Sequence, residues 1–214
     1  MCPAKIIPRT LLCLDFDLTL TQTHLFRYVV DTIHGGFSRE GALLRAIKVL
    51  DQQGPRGGIV LWQTLAIWLN HGHGLVVTSY TAFPELPIAL LSRGIASLRE
   101  YGARSQTRWL SRPLIVYGDP APHLNPSIPI PNTILVSQQS QDLSHQGKNS
   151  HITEALKYFM TQGQHFERVL LVDDDPNNIE YAQKIGHDTI QVDSELESIS
   201  HLIDLQSYLG IDHI

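Results

Sequence analysis

Carboxylate side chains follow two apolar runs of the sequence, at the point where each run ends. The run LLCL is followed by Asp15, and Asp17 comes two residues later. The run RVLLV is followed by Asp173, Asp174 and Asp175. Carboxylates at the end of a buried strand are costly to leave unpaired, and a divalent cation would offset that cost. Oxygen ligands of this kind suit Mg²⁺, which usually binds a phosphate group as well.

Donor groups stand near the ends of two further predicted elements. Thr78 and Ser79 close the apolar run GLVVTS, and Lys148 precedes a helical pattern. Phosphoryl transfer needs an in-line nucleophile and positive or donor groups around the equatorial oxygens. If Thr78, Ser79 and Lys148 lie at the same sheet edge as Asp15 and Asp17, that edge holds both the nucleophile and the donor groups that phosphoryl transfer needs. The alternatives are a solvated acidic loop and a surface lysine, and either Thr78 or Ser79 is the hydroxyl that faces the phosphate.

Short apolar runs alternate with helical patterns along the chain. Buried strands are predicted at 11–16, 74–79, 113–118 and 168–173, with weaker strands at 133–136 and 189–192. Helices are predicted at 38–52, 59–71, 150–162, 178–184 and 196–209. This alternation favours an α/β fold with right-handed crossovers and a mostly parallel central sheet. Sites in such sheets lie at the carboxyl ends of the strands, where these carboxylates stand.

Length and composition indicate one globular domain over residues 1–214. Apolar residues make up 43% of the chain and charged residues 17%, which excludes a charge-rich disordered chain. The formal net charge of -5 argues against a nucleic-acid partner. Cys2 and Cys13 cannot form a disulfide framework, and no stretch approaches the length of a membrane span. We therefore expect a cytoplasmic monomer without a classical signal peptide.

Two segments depart from the regular alternation. Residues 22–72 have room for two or three helices, which we interpret as a helical crossover or a small lid. Residues 119–147 are rich in proline and predict a long ordered loop. This loop either merely connects two elements or borders the site, because Lys148 follows it directly.

Four segments resemble, in order, the four motifs of the haloacid dehalogenase (HAD) superfamily. LLCLDFDLTLT is similar to motif I, and LVVTS is similar to motif II with Thr78 in the hydroxyl position. GKNSHI resembles motif III with Lys148, and VLLVDDDPNNIEYA resembles the DDxxxN form of motif IV. A lone DxDxT would be a weak signal, whereas four motifs at predicted strand ends and helix starts span nearly the whole chain.

The resemblance implies a Rossmann-like three-layer sandwich with a small helical lid at most, and a two-step mechanism. Asp15 would attack the phosphorus and form an aspartyl phosphate. Asp17 would protonate the leaving oxygen and then activate water for the second step. Thr78 would donate a hydrogen bond to a phosphoryl oxygen. Lys148 would balance the charge of Asp15 and the phosphate.

The resemblance also implies a Mg²⁺ site. Asp15, Asp174 and the backbone carbonyl of Asp17 would hold the cation, and Asp173 would bind it directly or through water. Asn178 would orient the metal-binding loop or its waters.

Asp17 separates two branches of the superfamily. Members that displace halide have no leaving alkoxide to protonate and lack Asp at this position, so phosphoryl transfer is favoured. P-type pumps are excluded because no membrane span is predicted. Phosphatases with a cysteine nucleophile need an Arg six positions after the Cys, and Thr19 stands six positions after Cys13.

The resemblance bears on the substrate as well. A minimal or absent cap leaves an open site, which admits a phosphate group on a large molecule. The acidic net charge favours a phosphorylated protein, and phosphotyrosine is favoured because its long side chain reaches a recessed Asp15. Thr19, Ser79 and Tyr80 are the predicted substrate-binding residues, and Tyr80 or Phe83 would offer a ring for stacking.

Other functions stay open at this stage. A small-molecule phosphomonoesterase, acting on a nucleotide or sugar phosphate, is the main alternative. A non-catalytic binding protein on a HAD fold and a nucleic-acid 3'-phosphatase are the others. The general character of the chain is also similar to the cap-poor HAD phosphatases that intracellular bacteria inject into host cells, which would imply delivery as an effector without a classical signal peptide.

Overall fold

Five short segments form one parallel sheet in the computed structural model, which describes residues 8–79, 81–100, 136–137, 147–161, 163–193 and 200–208. The strands are β1 (Thr10–Leu14), β2 (Gly74–Thr78), β3 (Val136–Ser137), β4 (Arg168–Asp173) and β5 (Asp188–Gln191). Their order across the sheet is β3-β2-β1-β4-β5, and all four pairings are parallel. Every residue of β1 and β2 is buried, as expected for parallel strands that are covered on both faces.

Seven helices lie within the described residues. They are α1 (Leu25–His34), α2 (Arg39–Gln53), α3 (Gly58–Asn70), α4 (Glu85–Glu100), α5 (Asn149–Thr161), α6 (Pro176–Lys184) and α7 (Ser200–Tyr208). Two of them begin at clear capping residues. The Ser38 side chain accepts a hydrogen bond from the Gly41 N–H at the start of α2, and Asp175 caps α6, where proline occupies the first turn.

The sheet separates two apolar cores. Leu12 and Leu14 of β1 point into the larger core, which is filled from α1 to α4 and from α7. Leu11 and Cys13 point the opposite way, into a smaller core with α5 and α6. Successive side chains of a strand lie on opposite faces, so one strand serves both cores. The predicted α/β class, a Rossmann-like three-layer sandwich, is confirmed.

The strand order creates a crevice beside β1. The chain moves outward from β1 to β2 and β3, then returns to place β4 and β5 on the other side of β1. In open parallel sheets, ligands bind at such a switch point, outside the carboxyl ends of the strands. Asp15 follows β1 and Asp173 ends β4, so both carboxylate groups predicted from the sequence border this crevice.

Most predicted elements are found, with small shifts at their ends. The strand predicted at 133–136 overlaps β3 by one residue, and the helix predicted at 178–184 begins two residues earlier. The segment 22–72 contains α1, α2 and α3, and α2 packs against both α1 and α4. The predicted strand at 113–118 lies outside the described residues, as does most of the Pro-rich segment 119–147. No helix in the described part of the chain is long and apolar enough to span a bilayer.

Candidate active site

The pairing of β1 with its two neighbours brings three predicted site residues to one level. Leu14 is paired with Val77 of β2 and with Val172 of β4. The residues that directly follow these three are Asp15, Thr78 and Asp173, which therefore lie side by side. The Asp15 N–H donates to the Val172 carbonyl at 2.9 Å, which fixes Asp15 at the mouth of the crevice.

Asp15 and Lys148 form a buried ion pair. The Lys148 ammonium lies 2.5 Å from Asp15 Oδ1 and also donates to the Thr78 carbonyl at 2.9 Å. Only 2% of the Lys148 side chain and 10% of the Asp15 side chain are exposed. Burial raises the pKa of Asp15, and the Lys148 charge acts in the opposite direction. Asp15 follows β1, Thr78 ends β2 and Lys148 precedes α5. These contacts therefore exist only in the folded chain.

Three carboxylates converge at the crevice. Oxygens of Asp15, Asp173 and Asp174 all lie within 4.8 Å of one another. Burial is the largest cause that raises the pKa of both Asp173 and Asp174, and the charge of Asp173 adds to the effect on Asp174. A cation bound among these oxygens would favour their charged forms, and an all-oxygen donor set is what Mg²⁺ prefers.

The first turn of α6 orients this carboxylate cluster. Asn178 Nδ2 donates to both Asp173 oxygens, at 3.0 and 3.1 Å. The Asp175 N–H donates to Asp173 Oδ1 at 2.9 Å, and the Asp175 side chain caps the helix. Asp173 is therefore held at the end of β4 by the helix that follows it.

Asp17 is anchored to the N-terminus of α1. Its Oδ1 accepts hydrogen bonds from the N–H groups of Leu25 at 2.6 Å and Phe26 at 3.2 Å. Its Oδ2 lies 3.6 Å from Nδ1 of His24, and this interaction raises the pKa of His24. A helix N-terminus favours a carboxylate because its first N–H groups lack partners within the helix.

A cavity of about 580 Å³ opens above these groups. Seven of the predicted site residues line it: Asp15, Asp17, Ser79, Lys148, Asp173, Asp174 and Asn178. The other lining residues are Asp175, which the sequence marked only as part of the acidic run, and four that it did not single out: Leu18, His24, Phe26 and Pro176. His24 and Phe26 carried a weak signal, since they follow the carboxylate pair closely, but nothing in the sequence alone shows that α1 begins at the cavity.

The predicted hydroxyl and ring residues take different positions. Ser79 lines the cavity, whereas Thr78 does not, and the Thr78 hydroxyl points to the Leu14 carbonyl 3.5 Å away. Thr19 is 1% exposed, and its hydroxyl lies 3.5 Å from Asp174. Phe83 is buried behind Phe26, with a centroid separation of 5.7 Å, so Phe26 presents the ring to the cavity. Tyr80 lies outside the described residues.

No protein-family model and no curated protein matches the chain. A carboxylate beside an ammonium, a second carboxylate on a helix N-terminus and a cluster of acidic oxygens form one wall of a polar cavity. Such a set can support nucleophilic attack, proton transfer and divalent-cation binding at a single position.

Proposed function

We propose that the chain is a Mg²⁺-dependent phosphatase of the HAD type, which hydrolyses phosphomonoesters on proteins and prefers phosphotyrosine. One observation carries the proposal. The buried Asp15–Lys148 pair opens onto a cavity that it shares with Asp17, Asp173 and Asp174. Motifs I, III and IV contribute these five residues from separate parts of the sequence, and in the fold they line one cavity.

Asp15 is the nucleophile of the proposed first step. Lys148 holds one carboxylate oxygen, which leaves the other to attack the phosphorus. A bond forms between Asp15 and phosphorus while the bond from phosphorus to the leaving oxygen breaks. The electron pair of the broken bond stays on the leaving oxygen, which takes a proton from Asp17. The products are the free alcohol or phenol and an aspartyl phosphate.

Asp17 reverses its role in the second step. The Asp17 carboxylate takes a proton from a water molecule, whose oxygen attacks the phosphorus of the aspartyl phosphate. The bond from phosphorus to Asp15 breaks, and its electron pair restores the Asp15 carboxylate. Inorganic phosphate leaves, and Asp17 is again protonated for the next cycle.

Mg²⁺ is the proposed cofactor. Asp15, Asp174 and the backbone carbonyl of Asp17 would hold it, and Asp173 would bind directly or through water. The observed donors fit the cation, because oxygens of three carboxylates lie within 4.8 Å of one another, two of them buried and the third, from Asp174, half-buried. When bound, the cation would offset the charge of the carboxylates and of the phosphoryl oxygens.

The walls of the cavity support a protein-borne aryl phosphate. Ser79, which lines the cavity, is the proposed hydroxyl donor for a phosphoryl oxygen, and Phe26 offers a ring for stacking against the substrate. Ser79 takes the hydroxyl role in place of Thr78. Phe26 takes the ring role that the sequence assigned to Tyr80 or Phe83, since Phe83 is buried and Tyr80 lies outside the described residues. The net charge of -5 favours a protein substrate over a nucleic acid.

One observation favours a second candidate function. The cavity volume of about 580 Å³ falls within the usual range for small-molecule sites, about 300 to 1,000 Å³. A phosphomonoesterase that acts on a nucleotide or sugar phosphate would use the same groups and the same two steps. The two functions differ only in the substrate that the cavity accepts.

The test is phosphate release from a panel of phosphopeptides (Tyr, Ser, Thr) and a panel of phosphorylated metabolites, with Mg²⁺ and with chelator. We expect Mg²⁺-dependent release that is fastest from phosphotyrosine peptides. Asp15→Asn should abolish it, and Asp31→Asn, at an exposed carboxylate of α1, should leave it unchanged. Release from metabolites alone would establish the second function. No release from either panel would refute both.

A further inference from the structure

His24 stands at an unusual place, between a helix and the cavity. It occupies the N-cap position of α1, yet its side chain makes no capping hydrogen bond within the described helix. The Leu25 and Phe26 N–H groups donate instead to Asp17 Oδ1. The His24 side chain is 46% exposed and lines the cavity. The ring is therefore not needed to begin the helix, and it faces the space in which a substrate would lie.

The two Asp17 oxygens have different surroundings. Oδ1 accepts two backbone hydrogen bonds, so its lone pairs are occupied. Oδ2 faces Nδ1 of His24 across 3.6 Å. The oxygen that exchanges a proton with substrate must therefore be Oδ2, and His24 is the side chain beside it.

We propose that His24 is a positioning residue for Asp17: its ring N–H donates to Oδ2 and holds that oxygen toward the leaving group. This inference rests on the proposed phosphatase function. When the bond from phosphorus to the leaving oxygen breaks, the proton passes from Asp17 Oδ2 to that oxygen. Negative charge then develops on Oδ2, the oxygen that lies 3.6 Å from His24 Nδ1. The 3.6 Å separation would shorten with substrate bound, as catalytic hydrogen bonds often do.

A leaving-group comparison tests this role. Phenyl phosphate releases a phenol that needs a proton, whereas p-nitrophenyl phosphate releases a stable phenolate at neutral pH. Positioning of the proton donor therefore matters for the first substrate and hardly for the second. We expect His24→Ala to lower kcat for phenyl phosphate about tenfold and kcat for p-nitrophenyl phosphate at most about twofold, with little change in KM.

Two further variants separate positioning from structural damage. His24→Asn keeps an N–H donor near the position of Nδ1 and should restore kcat for phenyl phosphate to within about threefold of wild type. His34→Ala, at the exposed far end of α1, should leave both substrates unchanged. A thermal melt of each variant would report whether α1 and its surroundings stay folded.

The possible results are distinct. Equal losses on both substrates, no loss on either, or an Asn variant as slow as the Ala variant would overturn the role of His24 while wild-type turnover upholds the phosphatase. If the wild-type protein hydrolyses neither aryl phosphate with Mg²⁺ present, the phosphatase proposal and the role of His24 fall together.

Discussion

At the scale of single residues, Gly147 allows Lys148 to approach the carboxylate cluster. Gly147 has a φ of +54°, in the left-handed region that side chains disfavour. A Cβ atom there would lie 3.0 Å from Asn178 Oδ1 and 3.0 Å from the Tyr181 ring. Asn178 holds Asp173, so a methyl group at this position would disturb both the lysine and the carboxylate that share the cavity.

We expect Gly147→Ala to lower the free energy of unfolding by about 2 kcal/mol, from the strained φ and the contact with Asn178 together. Gly163→Ala is the matched control, because its φ is +71° and its Cβ would meet no described atom within 4 Å. That variant should lose only the backbone contribution, about 1 kcal/mol. Urea denaturation measures both. Equal losses would show that Asn178 moves aside without cost.

Residue types and spacing identify the charged groups of the site but not the hydroxyl that faces the cavity. Asp15, Asp17, Lys148 and the acidic run after β4 were identified because their types and spacing are unusual. The choice between Thr78 and Ser79 was not resolved, since successive residues of a strand face opposite ways and the sequence does not show which face meets the cavity. In the fold, it is Ser79 that lines the cavity.

At the scale of elements, α1 and Asp17 depend on each other. The N-cap residue of α1, His24, makes no capping hydrogen bond with its side chain. The carboxylate of Asp17 accepts instead from two N–H groups of the first turn. In return, the helix fixes the direction of Asp17. A change in the position of α1 would therefore move Asp17, the proposed acid and base. From the sequence, the segment 22–72 that contains α1 is interpreted only as a crossover or a small lid.

The two replacements of Asp17 should separate stability from catalysis. Asp17→Asn keeps an oxygen acceptor for α1 but cannot exchange a proton, so we expect a stability loss of about 0.5 kcal/mol. Asp17→Ala removes the acceptor and should lose about 1 to 2 kcal/mol. Both should lose at least about 100-fold in kcat on phenyl phosphate. Thermal melts and steady-state kinetics measure these effects. Equal destabilisation by Asn and Ala would contradict the capping role.

Elements with local signals were predicted well. The strands β1, β2 and β4 are short apolar runs that end at polar residues, and α2 begins at a capping serine. The start of α1 escaped prediction because its cap, Asp17, lies eight residues before Leu25 and meets the helix only in the fold. The predicted start of α6, at residue 178, is two residues later than the observed start at Pro176, because proline suits a first helical turn as well as it suits a loop.

At the scale of the whole molecule, three buried histidines make the fold sensitive to acid. His73, at the amino end of β2, and His151 and His201, in α5 and α7, are each at most 5% exposed. Burial is the main cause that lowers the pKa of His73 to about 4, of His151 to about 3 and of His201 to about 4. These histidines are neutral when folded, whereas in the unfolded chain they gain a proton near pH 6.5. Their contribution to stability is complete above about pH 6.5 and declines as the pH falls toward 4.

His73 gives the cleanest test of this acid sensitivity. Its Nδ1 accepts a hydrogen bond from the Thr10 N–H at 3.1 Å, and its ring packs on Trp68. His73→Asn keeps an acceptor in the same place and removes the titration. Between pH 7 and pH 4.5, the variant should therefore lose about 2 kcal/mol less unfolding free energy than the wild-type protein.

The comparison of variant with wild type is needed because other groups titrate in the opposite sense. Burial raises the pKa of Asp173 and of Asp174, so protonation of these carboxylates stabilises the fold as the pH falls. The wild-type curve mixes the two effects, whereas its difference from His73→Asn isolates one histidine. Parallel curves for His73→Asn and wild type would mean that the folded protein admits the protonated ring at no cost, by turning the imidazole away from Thr10.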